Sequence, residues 1–372
     1  MSAPRVEAVK PISLEGAARW RFAFKRAGTH SLLIWPPFAI AWLFLIDLRK
    51  DAVAFDFHHA YLPAARAVLA GDSPYPPATI AAFFPRTAFI YPPLTAWLAA
   101  PFTVLPPLAA DVLVSVLAIA GIIGVLLLLG VRDWRCHMIA FLWVPVYSAI
   151  QTGNVTVLLT LGLALAWRYR SRAVVAALAV GFLLALKLFF WPLLVWLVAT
   201  RRVRAAGGAI VTAGTLIVVP WAGIGFAGMT GYPHLLHVLT QAERADQYTI
   251  PALLSRGVSW RVAELIGLAV GLAVLGFAAR AGRRDERLSF VLTIAGILLL
   301  SPIVGLHYFT FLLIVLALYT PRFGWMWVVP LFLWVGPQVG EVADWRTAAV
   351  LALAAGTVTL AVRRPQRPPT AV

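Results

Sequence analysis

The sequence predicts an all-α, polytopic membrane protein of about twelve transmembrane helices, and three observations carry that prediction. Of the 372 residues, 61% are hydrophobic and only 12% are charged, about half the charged share of a soluble domain. The apolar residues come in unbroken blocks; the block 108–130 holds one ionisable residue, Asp111, near its start. Short clusters of Lys and Arg separate the blocks. A run of about 20 apolar residues is long enough to cross a hydrocarbon core. Lipid offers no partner to an unpaired backbone group, so blocks of this length must be helical.

Taken in order, residues 1–30 form a basic tail and 31–46 the first span. No small-residue cleavage pattern comes after it, so this span is expected to stay rather than be removed as a signal peptide. A long loop, 47–91, comes next; its stretch 57–70 mixes apolar and polar residues and suits a helix lying along the membrane surface. Segment 92–107 is apolar but carries Pro92, Pro93, Pro101, Pro106 and Pro107. Proline removes a backbone donor and breaks helices, so this segment is expected to be re-entrant or interfacial. Further spans are expected at 108–130, 136–151, 154–167, 173–187, 188–200 and 205–222. A second long loop, 223–259, precedes spans at 260–279, 288–304, 306–319, 324–337 and 346–362, and 363–372 is a second tail. Residues 31–362 are thus one membrane domain. No internal repeat is evident, which weighs against the duplicated folds common among transporters.

The basic clusters lie at 19–26, 132–135, 168–172, 201–204, 280–287, 322 and 363–367. Placing them and the N-terminal tail on one side puts 22 of the 31 Lys and Arg residues there and 10 of the 15 acids opposite. That asymmetry sets both termini on the cytoplasmic side. It also accounts for the net charge of +16 through anionic lipid rather than nucleic acid. The single cysteine, Cys136, excludes an intramolecular disulfide and a cysteine-cluster metal site.

The residues able to carry chemistry gather on the opposite, extracytoplasmic side. Asp56 lies between Phe55 and Phe57, just past the first span; a carboxylate there could take a proton from a sugar hydroxyl, or be an exposed loop aspartate. His58 and His59 beside it could touch phosphate, although solvated histidines are common at interfaces. Lys187 ends a span and could hold a lipid-linked phosphate or snorkel outward. His307 comes after the SPIVG break, where it could donate to a leaving phosphate or cap a helix. Asn154 stands at a helix start, a common N-cap position. Tyr91, before two prolines, could shape an acceptor groove or turn the chain. Glu243, Arg244 and Asp246 are acceptor candidates in the second long loop, where solvated side chains are the alternative.

Asp56, Tyr61, Ala64, the Gly71–Asp72, Pro74 and Tyr75 turn, and Tyr91-Pro92-Pro93 together resemble glycosyltransferase family 87. So do Gln151 with Gly153 and Asn154, Lys187 before its aromatic-proline stretch, and Ser301-Pro302 followed by His307-Tyr308. The QTGN element departs from the family's pattern in the place of its glutamine. The resemblance implies a C-type glycosyltransferase-like bundle with juxtamembrane helices in the first outer loop, while the inner-face charge bias and the high alanine, arginine and glycine content suit a bacterial inner membrane. It also implies a polyprenyl-phosphate sugar donor, mannose above all, and a lipid or glycan acceptor. It makes Asp56 the catalytic base and Lys187 and His307 the donor phosphate ligands. His58, His59, Tyr61, Tyr91, Gln151, Asn154 and Tyr308 would contact substrate, with no metal and no cofactor. A flippase or transporter of lipid-linked sugars, or a polysaccharide polymerase or ligase, would share the many spans and basic inner face.

Overall fold

The computed structural model describes residues 14–83, 87–244, 247–336 and 343–363, with side chains described from Ser31 onward. Every regular element among them is helical: α, 3-10 or, in one short turn, π. The expected tails at 1–30 and 363–372 lie outside the described residues except for helical backbone from Leu14 and the terminal Arg363. Asp246 also lies outside them.

Five of the described helices are long and apolar enough to cross a bilayer unaided: Ser31–Arg49, Pro107–Leu128, Val203–Ala222, Trp260–Ala281 and Asp344–Val362. Val144–Thr152 and Thr156–Arg168 pass the same test together but bend by 117° at the QTGN corner. The expected dozen continuous spans is therefore not matched helix for helix. Much of the remaining apolar sequence forms shorter helices, among them Ala173–Leu186, Leu188–Ala199, Leu306–Tyr319 and Trp325–Val335. Prolines, glycines and an isolated lysine interrupt these blocks, and such breaks survive at membrane depth where protein or a cavity surrounds them. The proline-rich 92–107 stretch obeys the same logic: a short helix, Pro93–Ala99, passes into 3-10 turns, Ala100–Val104, before the long helix Pro107–Leu128.

The long helices carry apolar side chains on both faces. Val116, Leu117 and Leu127 are exposed on Pro107–Leu128, as are Ile210, Val211 and Val219 on Val203–Ala222 and Leu265 and Phe277 on Trp260–Ala281. An apolar exterior of this kind suits lipid. Between helices the contacts use small residues, which let backbones approach without a hydrophobic driving force. Val203–Ala222 lies along Ala173–Leu186, where a Cβ on Gly181 would come within 2.5 Å of Thr212 and one on Gly208 within 2.8 Å of Ala177.

Glu286 accepts hydrogen bonds from Arg170, at 3.1 Å, and from Arg202. That single carboxylate gathers the basic clusters 168–172, 201–204 and 280–287 at one end of the bundle. The helix Ala173–Leu186 starts at that end and finishes at Lys187, so its 14 residues carry the chain roughly 20 Å away.

Candidate functional site

The chain leaves the first span through an irregular corner. Asp51 and Ala54 take left-handed backbone, with φ of 51° and 48°, a conformation that costs residues with a Cβ about 1–2 kcal/mol each. The chain then enters a π turn, Phe57–Tyr61, with Asp56 at its head, and continues as the helix Leu62–Leu69. Such turns are rare and concentrate at functional sites.

The QTGN corner holds this segment from the other side. Gln151 Nε2 donates to the Ala52 carbonyl at 2.7 Å. Gly153 caps the helix Val144–Thr152 with φ of 62°, and a Cβ there would lie 2.9 Å from Ala54 Cβ and 3.1 Å from Phe57 Cβ. Only a glycine satisfies both the backbone angle and the close approach.

Lys187 lines the same cavity of about 540 Å3 as Asp56. It is extended, at φ −155° and ψ 110°, and so ends the helix Ala173–Leu186 before the 3-10 turn Leu188–Phe190. Its ammonium donates to the Tyr308 hydroxyl and sits 4.1 Å from the centre of that ring. The Tyr91 ring is 5.9 Å away, within reach of cation–π attraction. His307 precedes Tyr308 beyond the SPIVG break, its ring folded back over Gly305, where a Cβ would come within 2.6 Å of the imidazole. The break itself is stitched to the second long loop, since Tyr248 N–H donates to the Val304 carbonyl at 2.9 Å.

Tyr61 and Tyr91 complete the wall with ring centroids 5.4 Å apart. Burial raises both hydroxyls well above the ordinary tyrosine range, and the negative charge of Asp56 acts in the same direction. They are therefore neutral, able to donate or accept hydrogen bonds but not to supply charge. Tyr75 and Tyr232 fix the backbone beside Tyr91: their hydroxyls donate to the carbonyls of Tyr91 and Ile90 at 2.9 and 3.1 Å.

Both long loops contribute to the enclosure. The helix Tyr232–Ala242 buries Leu235, Val238 and Leu239 against Phe83, and Leu236, Thr240 and Glu243 line the cavity. One flank is apolar, with Leu186, Leu188, Phe189, Ile303 and Leu306.

Asp56, Tyr61, Tyr91, Gln151, Lys187, His307 and Tyr308 thus line one cavity, although they come from separated segments of the chain. His58, His59 and Asn154 are not among its lining residues. His58 Nδ1 lies 2.7 Å from Asp111 Oδ2. The His59 ring packs on those of Phe55 and His58. Asn154 is buried and accepts from the Thr156 N–H at 2.9 Å, the geometry of a helix-start cap. Ser148, Thr152, Tyr232, Thr240 and Tyr248 also line the cavity, and nothing in their spacing along the chain marks them out. Asp111 was visible in the sequence as an isolated charge in an apolar block; its partner was not.

Searches of curated proteins and of solved structures return no match. The family model for glycosyltransferase family 87 matches residues 89–302. That stretch contains Tyr91, Gln151 and Lys187, while Asp56 and Tyr61 precede it and His307 and Tyr308 come after it. With more than half of its 372 residues matched, alongside an all-helical fold with several membrane-spanning helices, the chain belongs to glycosyltransferase family 87.

Proposed function

We propose that this membrane glycosyltransferase moves a sugar, mannose in our reading, from a polyprenyl-phosphate donor to a hydroxyl of a lipid or glycan acceptor. The reaction takes place on the extracytoplasmic face of a bacterial inner membrane and inverts the anomeric centre. Asp56 takes the proton of the acceptor hydroxyl as its oxygen bonds to the anomeric carbon. The bond from that carbon to the donor phosphate oxygen breaks, and its electron pair leaves with the phosphate. Negative charge grows on the phosphate in the transition state, where preorganised cations and donors help most; Lys187 and His307 fill that role.

The observation that carries this reading is the shared cavity: a carboxylate, a lysine and a histidine from three separate segments of the chain line it. Tyr61, Tyr91, Gln151 and Tyr308 border the same space, and the apolar flank at Leu188 and Phe189 suits an isoprenoid chain. His58, His59 and Asn154 support the surrounding backbone in this scheme.

The test is transfer from radiolabelled polyprenyl-phosphate mannose to crude membrane lipid by purified wild type and Asp56→Asn. The substitution preserves size and hydrogen bonding but removes the base. Labelled product from wild type alone supports both the transferase and its base. Equal transfer by the two proteins removes Asp56 from that role. Movement of the lipid-linked sugar across the bilayer without a new glycosidic bond would favour a flippase instead.

A further inference from the structure

We propose that His58 and Asp111 anchor the turn carrying Asp56, and that both act as positioning residues for transfer; this rests on Asp56 being the base. Asp111 is the one ionisable residue in the 22-residue helix Pro107–Leu128, and it is 4% exposed. A carboxylate in an apolar span is costly and needs a partner. Here His58 supplies it, across 53 positions of chain, with Nδ1 and Oδ2 2.7 Å apart. Next to a carboxylate the Nδ1–H is the donor.

Three features tie this pair to Asp56. His58 is the second residue of the π turn whose head is Asp56, and its own N–H donates to the Ala54 carbonyl at 2.8 Å. The His58 ring meets that of His59 at 4.7 Å, and His59 meets Phe55 at 4.6 Å. Phe55 in turn lines the cavity beside Asp56. The contact therefore runs from a long helix, through two touching imidazoles, to the residue next to the base. Gln151 and Gly153 brace Ala52 and Ala54 on the N-terminal side of Asp56, while His58 and Asp111 brace the π turn on its C-terminal side. Between them Asp56 has a fixed approach to the cavity, and small errors in such an approach cost rate steeply.

The experiment compares His58→Leu, Asp111→Leu, Asp111→Asn, the double leucine variant and Asp56→Asn in lipid nanodiscs. It reads amide hydrogen exchange over 53–62 together with transfer kinetics from polyprenyl-phosphate mannose. Both single leucine variants should speed exchange in 53–62 by about tenfold while 173–186 stays as in wild type. Their kcat should fall by about ten- to a hundredfold, with donor KM within about twofold. Asp111→Asn keeps an acceptor oxygen and should recover most of both. The double variant should be no worse than the poorer single one, as for residues acting as a unit. Wild-type exchange and kcat in the leucine variants would overturn the anchor while leaving the transferase intact. If wild type transfers nothing from this donor, the functional reading fails, and unchanged exchange in 53–62 still decides against the anchor. His58→Leu replaces Asp111→Leu as the deciding variant where the latter does not fold.

Discussion

The side-chain amide of Gln151 donates to the backbone carbonyl of Ala52 at 2.7 Å, across 99 positions of chain. The bond joins the QTGN corner to the irregular segment that leads into Asp56. It gives Gln151 a mechanical task whether or not it also meets substrate. A net hydrogen bond of this kind contributes about 0.5–1.5 kcal/mol.

Gln151→Leu should therefore lower kcat by about tenfold through a looser Asp56 segment, with donor KM nearly unchanged. Steady-state kinetics separate this from a binding role, which would raise KM instead.

Gly153→Ala should be more damaging than its size suggests. The new Cβ would meet Ala54 and Phe57 at 2.9 and 3.1 Å, and the backbone sits at φ +62°. The left-handed angle alone costs about 1–2 kcal/mol, and the overlap pushes the Asp56 segment outward. A lower unfolding temperature and near-complete loss of transfer are expected. A well-folded alanine variant of normal activity would remove Gly153 from this account.

Lys187→Met should weaken the donor specifically. The ammonium stands among Tyr91, Phe189 and Tyr308, a partly desolvated setting in which charge counts for more than in water. Removal of its positive charge should raise donor KM and lower kcat, together costing about a hundredfold or more in kcat/KM. Lys187→Arg retains charge but not shape and should fall between the two. A kcat/KM for the methionine variant within about threefold of wild type would exclude phosphate binding by Lys187.

Asp133 offers a pH-dependent control outside the lining of the cavity. Its carboxylate takes two hydrogen bonds of 2.9 Å from the Arg135 guanidinium and one of 3.0 Å from the Phe323 N–H. The Arg135 hydrogen bonds hold its pKa below the usual value. A carboxyl depressed in the folded state stabilises fully above its unfolded pKa of about 3.9 and loses that contribution as pH falls through the folded value. Asp133→Asn should thus lower the unfolding temperature at pH 7, and the gap to wild type should close below about pH 4. A gap that persists unchanged in acid would assign the loss to packing instead.

Much of the candidate site was legible in the sequence as residue types. A carboxylate past the first span, a lysine ending an apolar block and a histidine after SPIVG all stood out because charge and polarity are expensive near lipid. The apolar runs 108–130, 205–222, 260–279 and 346–362 reappear as long helices, since a continuous apolar run has few alternatives in a bilayer. The blocks 136–151, 173–187 and 306–319 were less transparent. Hydropathy counts apolar residues and does not register how Trp143, Lys187 or Gly305 turns the backbone.

By itself, the sequence determined the membrane class, the clustering of its basic residues and the residues worth watching, because these depend on composition and on runs of neighbours. Only the tertiary structure decided that Asp56, Tyr61, Tyr91, Lys187, His307 and Tyr308 share one cavity, that Gln151 and Gly153 brace the Asp56 segment, and that His58 turns to Asp111. Those are contacts across tens to hundreds of positions, set by how broken helices pack. No local pattern of residues encodes which side chain will meet which.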